Sequence, residues 1–477
     1  MRVTCANVPR LASVCLLAAA GLGVPSRLAD ACHTYDHAHY LQGIGIGVPE
    51  EVMRKLAAIP VDFEPIASPA LGATPCAAGM AGEFPCENVD LLALLPLASM
   101  GGGSGNDLWG WTDPVTGVEW ALVGRTNGTA FVSLEDPTDP VYVGNLPTQT
   151  NSSSWRDIKV FDDHAFIVSD HNGSHGIQVF DLTVLRTIVS PPVTFNPSTD
   201  LAAHYTGIGS AHNIAINEDT GFAYAVGDAG SCGGGGLHMV DVNDPANPTF
   251  AGCYSGDGYT HDVQCVVYQG IDAGHAGDEI CFASNEDTLT IVDVTNKSAP
   301  ALLSRTGYAG SGYTHQGWLT PDQRFFLVDD ELDHGPGEPR RTYVWYLADL
   351  EAPALLGDYE AAGTRAPAID HNQYVLGDLA FQSNYRAGLS VLRIDDPATA
   401  GLTEVGFFDT YPSFDNPSFS GAWSNYPYFA SGILIVSDIN RGLFVLQPNL
   451  PANPIIFRDG FELGDPTAWS DVVVPAP

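Results

Sequence analysis

Four histidines recur immediately before a polar residue: His212-Asn213, His261-Asp262, His315-Gln316 and His371-Asn372. Two of them stand in near-identical phrases, GYTHDVQC at 258–265 and GYTHQGWL at 312–319. Imidazoles brought to one place bind Zn, Fe or Cu, and neighbouring carboxylates orient such rings. The loops DHNGSHG (170–176) and DDELDHGPGE (329–338) add oxygen ligands of the kind Ca²⁺ takes, without the spacing of an EF-hand. The same histidines could instead hydrogen-bond to a neighbouring unit and pin a strand. A phrase repeated at regular spacing marks a structural unit before it marks a catalytic one.

The unit is legible along the chain. Paired apolar runs bounded by Gly, Asn and Asp read as strands: AFIVSD (165–170) then GIQVFDL (176–182), FAYAVGD (222–228) then GLHMVDV (236–242), EICFASNED (279–287) then LTIVDV (289–294). Seven such pairs occur, and convincing amphipathic helices are missing. A Pro-marked run follows most pairs, as in DPVYVGNL (139–146), NPTFAGCY (247–254), APALLSRTG (299–307) and APALLGDY (352–359). A short run also precedes each pair. Four strands in about 50 residues is the size of a propeller blade.

The polar residue after the histidine sets the register. Its equivalents are Asp107, Asp157, Asn213, Asp262, Gln316, Asn372 and Ser424, in steps of 50, 56, 49, 54, 56 and 52 residues. The expected fold is all-β, a seven-bladed β-propeller over 89–450. The last blade lacks a fourth strand, and VDLLALLPLAS (89–99) has no blade of its own, so the N-terminal strand is expected to close the ring and remove exposed sheet edges.

In an antiparallel blade the start of the first strand and the end of the second share one face of the disc. That register gathers the candidate metal ligands His212, His261, His315 and His371. It gathers candidate ligand-binding residues as well: Arg156, Asp157, Asp262, Glu286, Glu331, Asp370, Asn372 and Arg386. The aromatics Trp318, Tyr385, Trp423 and Tyr426 are expected near the same entrance.

Composition narrows the partners. The 477 residues hold 56 acidic against 19 basic side chains, a net charge of −37, which excludes nucleic acid and disfavours anionic membrane surfaces. Residues 1–31 read as a signal peptide with an apolar core at 11–22 and the small-x-small site Ala29-Asp30-Ala31. No later segment is apolar and long enough for a membrane helix. Of nine cysteines, Cys5 and Cys15 leave with the leader. Short spacing pairs Cys76 with Cys86, consecutive strands pair Cys265 with Cys281, and Cys232 and Cys253 remain as a natural pair, leaving Cys32. Residues 32–88 form an N-terminal extension containing the Cys76–Cys86 loop, and 451–477 a C-terminal tail.

The units resemble LVIVD repeats, with LTIVDV a close instance. Over roughly 70–450 the chain resembles the secreted bacterial choice-of-anchor B proteins, on PCAAGMAGEFPCENVDLL (75–92), THDVQC (260–265), THQGWL (314–319), DDELD (329–333), DHNQYV (370–375) and NYRAGL (384–389). The resemblance implies a β-propeller exported to the cell surface or beyond, with the periplasm as the other compartment, and brings no activity. The tail is similar to short GFE…W(S) endings of secreted bacterial proteins, which implies sorting.

Two functional readings follow. The first is a secreted or cell-surface binding module with a polar ligand site at the channel entrance and an extracellular ligand or surface component as partner. The second is a metal-dependent enzyme using the four-histidine axis, with Ca, Zn, Fe or Cu as the divalent metal. A purely structural role in a surface layer is the third.

Overall fold

A computed structural model describes residue 59 and residues 61–228, 230–333 and 337–451. The expected leader, Cys32 and all but the first residue of the expected tail lie outside the described residues. The chain folds as an all-β, seven-bladed propeller. The inner strands, in chain order, are Gly105–Thr112, Arg156–Phe161, Asn213–Asn217, Asp262–Val267, Thr314–Leu319, Asn372–Leu376 and Ala422–Tyr426. Each carries one of the seven register residues, and each opens an antiparallel sheet that meanders outward.

The strands read as continuous apolar runs because every blade is buried on both faces. Phe325–Asp330 is buried at all six positions, as is Glu279–Ser284. Each pair of neighbouring blades shares its own apolar cluster. Phe166 and Val168 meet Ile214 and Ala223 between blades 2 and 3, and Phe282 meets Phe326 between blades 4 and 5. Stability is therefore distributed over seven interfaces, and the axis is left to polar side chains.

The ring closes as the missing strand required. Val89–Pro96 pairs antiparallel with Gly442–Pro448, from Val89 opposite Pro448 to Pro96 opposite Gly442. Its two faces enter different clusters: Leu91 and Leu94 pack toward blade 6, and Ala93 toward blade 1. The strand ends at Pro96, and Leu97–Met100 turns as a 3-10 helix.

Two features differ from the sequence reading. The fourth strand of blade 2 is Ala203–Tyr205, reached after a 3-10 turn at Leu182–Thr187 and an excursion whose Val193–Thr194 pairs parallel with the outer strand of blade 1. The part of the extension nearest the ring belongs to it: Phe84–Glu87 pairs with the outer strand of blade 6, Cys86 opposite Phe408. The disulfides are Cys76–Cys86, Cys232–Cys253 and Cys265–Cys281. The last joins directly opposed residues of the two innermost strands of blade 4.

A chain beginning at Gly101 loses the closing strand and exposes the edge of Gly442–Pro448. It is expected to aggregate or to unfold without cooperativity in urea; a monomeric, cooperatively unfolding truncation would contradict closure. In the full chain, Leu94→Ala is expected to cost about 2–5 kcal/mol, whereas Leu302→Ala, at a half-exposed position, stays within about 0.5 kcal/mol.

Candidate functional site

An innermost strand is an edge strand, and one row of its N–H and C=O groups faces the axis without a ladder partner. The register residues meet that need across blade boundaries. Asp107 Oδ2 accepts from the Ile158 amide at 3.2 Å, and Asp157 Oδ2 from the Ile214 amide at 2.6 Å. Asn213 Nδ2 donates to the His261 carbonyl at 3.0 Å. Gln316 makes two bonds to one residue of the next blade: Nε2 donates to the Gln373 carbonyl (3.0 Å) and Oε1 accepts from its amide (3.1 Å). Between blades 7 and 1 a residue of the second strand takes this part, Ser437 Oγ donating to the Asn106 carbonyl at 2.5 Å.

The histidines extend the same pattern. His261 Nδ1 donates to the His315 carbonyl and His315 Nδ1 to the His371 carbonyl, both at 2.9 Å; His371 Nδ1 donates to the Trp423 carbonyl at 2.5 Å. His212 Nδ1 pairs with Asp170 Oδ2 at 2.9 Å. Successive rings lie 4.3, 4.2 and 4.5 Å apart between centroids. The four imidazoles thus form an arc of neighbouring rings. Burial, and then the adjoining imidazoles, hold His315 well below the ordinary value, and burial brings His371 down to about 3; both are neutral. Among the described residues, His315, His371 and Glu331 each offer a ligand atom within 4.8 Å of the other two, a group that His212 and His261 do not join.

This end of the channel is closed. Tyr259, Tyr313, Ile369, Tyr385, Phe419 and Trp423, from consecutive blades, form one apolar layer where the inner strands begin, and Ile59, Val61, Phe63 and Trp155 pack against it. Main-chain bonds hold the N-terminal segment there: Val61 bridges Phe419, Asn440 Nδ2 donates to the Asp62 and Glu64 carbonyls, and Ser104 Oγ to the Phe63 carbonyl.

The opposite end, where the inner strands finish, holds a cavity of about 490 Å³. Strand alternation places the residue two positions after each register residue on the same side of its strand, and all seven of these line the cavity: Trp109, Lys159, Ala215, Gln264, Trp318, Tyr374 and Tyr426. The four aromatics come from the consecutive blades 5, 6, 7 and 1 and pack edge to face, Trp318 to Tyr374 at 4.9 Å, Trp109 to Tyr374 at 5.5 Å and Trp109 to Tyr426 at 5.1 Å. A Cβ on Gly110 would come 2.2 Å from Tyr426 Cε1, so this glycine lets the tyrosine of blade 7 lie against blade 1. Blades 2 to 4 supply the polar half: Lys159, Asn217, Glu218, Asp219, Asp262 and Gln264. Lys159 Nζ pairs with Asp157 at 2.5 Å and Asp107 at 3.7 Å and stands 4.5 Å over the Trp109 ring. Burial raises Asp107 well above the carboxylate range against the pull of Lys159.

Of the eight residues read as ligand-binding, Asp262 lines this cavity. Arg156 is buried between the Arg125 carbonyl (3.3 Å) and His175 Nε2 (3.3 Å), and burial lowers it to about 9. Asp157 clamps blades 2 and 3. Burial raises Glu286 to about 7 and Glu331 to about 8, where Tyr385 donates to Glu331 Oε1 at 2.7 Å. Asp370 accepts from the Arg341 amide at 3.0 Å and faces Arg340 at 3.4 Å. Asn372 is buried at the start of its strand. Arg386 donates to Ser420 (2.7 Å) and Asn416 (2.9 Å). The expected aromatics divide between the ends: Trp318 and Tyr426 line the open cavity, while Tyr385 and Trp423 belong to the closing layer. Trp109, Lys159, Tyr374 and Tyr428 were not anticipated, although the position two beyond the register residue carried the signal for the first three.

A family model described as the LVIVD repeat matches residues 208–255 and 276–306. No curated protein sequence matches the chain. Among solved structures, the chain is similar to the β-propeller domain of Cps50 (Swd1) from Myceliophteria thermophila (10% identity, 72% of this chain and 96% of that one, TM-score 0.45). It is also similar to a functionally unknown protein from Desulfotomaculum acetoxidans (14%, 64% and 89%, TM-score 0.42) and to a periplasmic gluconolactonase from Pseudomonas aeruginosa (12%, 63% and 84%, TM-score 0.43). The chain thus carries LVIVD repeats in blades 3 and 4.

Burial, with Asp157 opposing Lys159 and His212, raises Asp262 to about 7. A carboxyl whose folded value exceeds its unfolded one binds its proton more tightly when folded, so its contribution to stability falls as pH rises from about 4 to 7. The stability difference between wild type and Asp262→Asn is expected to shift against wild type over that window by up to about 1.4 kcal/mol per pH unit. Urea titrations at pH 4.5, 6 and 7.5 measure it; a constant difference would contradict the assignment.

Proposed function

We propose that the chain is a secreted or cell-surface β-propeller that acts as a binding module, with its ligand site in the cavity at the open end of the channel. The observation that carries this reading is the division of that cavity into an aromatic half from blades 5, 6, 7 and 1 and a polar half from blades 2 to 4. Concave sites with an apolar wall and a few placed polar groups are where small ligands bind. An aromatic wall accepts a flat apolar face, and the amide and carboxylate groups opposite accept hydroxyl donors. Glu218, Asp219 and Asp262 outnumber Lys159, itself paired with Asp157 and Asp107, and the whole chain carries −37; the field opposes anions. A saccharide without acidic groups matches these features. Export is supported by three disulfides, which persist in oxidising compartments. Among the described residues no helix is long and apolar enough to cross a membrane.

The metal-dependent enzyme reading keeps one favouring observation, the shared space of His315, His371 and Glu331.

Calorimetric titration with neutral oligosaccharides and their uronic-acid counterparts tests the binding reading. A neutral sugar is expected to bind more tightly than its acid, and Trp318→Ala to weaken it by about tenfold, or about 1.4 kcal/mol. Preference for the acids, or binding indifferent to Trp318→Ala, would contradict it.

A further inference from the structure

The closed end of the channel gathers buried carboxyl groups without supplying a permanent cation for each. Asp329, Glu331 and Asp370 are buried around the histidine arc, and among the described residues Arg340 is the permanent cation that pairs with this group, 3.4 Å from Asp370. Buried carboxylates are stabilised by pairing or by metal coordination. Here the surrounding donors are imidazoles, and their hydrogen bonds decide what they can offer. A backbone carbonyl only accepts, so the bonds from His315 to the His371 carbonyl and from His371 to the Trp423 carbonyl place the proton of each neutral ring on Nδ1. Each Nε2 then carries a lone pair. An imidazole anchored through Nδ1–H to a carbonyl is the arrangement that orients histidine ligands in metal centres.

We propose that His315 Nε2, His371 Nε2 and a Glu331 carboxylate oxygen form a binding site for one divalent first-row transition-metal ion, with Zn²⁺ and Co²⁺ as accessible probes. Two imidazoles and a carboxylate, without thiolate, form a donor set for this class of ion. One ring nitrogen of His315, one of His371 and one carboxylate oxygen of Glu331 lie within 4.8 Å of one another, and Nε2 is the nitrogen of each ring left with a lone pair. Bonds of about 2.0–2.2 Å place tetrahedral ligands about 3.4 Å apart, so binding draws the group together by at most about 1.4 Å. Tyr385, donating to Glu331 Oε1 at 2.7 Å, fixes the carboxylate as the carbonyls fix the rings. The aromatic layer and the segment carrying Ile59, Val61 and Phe63 lie between the site and solvent. The site is at the opposite end of the channel from the proposed ligand cavity and is independent of it.

The test uses the disulfide-bonded full-length mature protein, stripped with chelator and titrated with Co²⁺ and Zn²⁺. One ion per chain is expected, with the visible absorption of low-symmetry Co²⁺. X-ray absorption of the wild-type Zn²⁺ form should show two imidazole nitrogens and oxygen, without sulfur, which keeps the proposal testable if variants misfold. Glu331→Gln is expected to weaken Zn²⁺ by at least about tenfold while near-ultraviolet dichroism stays native. His275→Ala removes the alternative half-exposed groups, Asp272–His275–Glu351 and His275–Asp278–Asp293, and is expected to change nothing. Failure of the stripped protein to bind either ion, a sulfur ligand, or loss of the ion in His275→Ala with retention in Glu331→Gln would each overturn the proposal.

Discussion

The structure depends on how seven inner strands satisfy their axis-facing edges. A propeller packs its sheets face to face around a ring, which leaves every blade a short outer edge at the rim and an inner edge at the axis. Here that edge is met by side chains reaching from one blade to the backbone of the next: Asp107 and Asp157 to amides, Asn213 and three histidines to carbonyls, Gln316 to both groups of Gln373. An unmet buried backbone group costs about 1–3 kcal/mol, so this stitching sets blade register as well as stability. It also concentrates polar groups on the axis, where any site must be built.

The two ends of the channel then diverge for a packing reason. Strand starts carry Tyr, Trp and Ile residues that meet across the axis and are overlaid by the N-terminal segment. Strand ends carry one aromatic from each of four consecutive blades and polar groups from the other three, and these line a cavity of about 490 Å³ rather than filling it. The segment that crosses the closed end leads along the chain to Val89–Pro96, which completes blade 7 as its outermost strand. Ring closure and sealing of one mouth are thus consecutive parts of the same stretch of chain.

The blade count, the register and the closing strand were legible because each follows from a period of about 50 residues and strand alternation. The disulfides were legible because spacing and strand order leave few pairings. Blade 2 hid its outer strand because no proline marks Ala203 and the excursion before it contains only two strand-paired residues, Val193 and Thr194. The polar character of the axis was legible, but the chemistry of its histidines was not. A histidine that clamps a carbonyl and one that prepares to hold a metal share the same sequence position, and here the same hydrogen bond serves both. The open mouth was not legible because the histidines and carboxylates cluster at the strand starts, at the other end, and nothing local to Ile59, Val61 or Phe63 says that they cover that end.

The central claim is that inner-strand side chains hold adjacent blades by satisfying each other's backbone, and Gln316 tests it most cleanly, being uncharged and bonded to both groups of one residue. Hydrogen–deuterium exchange at the Gln373 amide should be slow in the wild-type protein and accelerate in Gln316→Leu, with stability lower by at least about 2 kcal/mol and protection in blades 2 and 3 retained. Unchanged protection at Gln373, with stability within about 0.5 kcal/mol of wild type, would contradict the account.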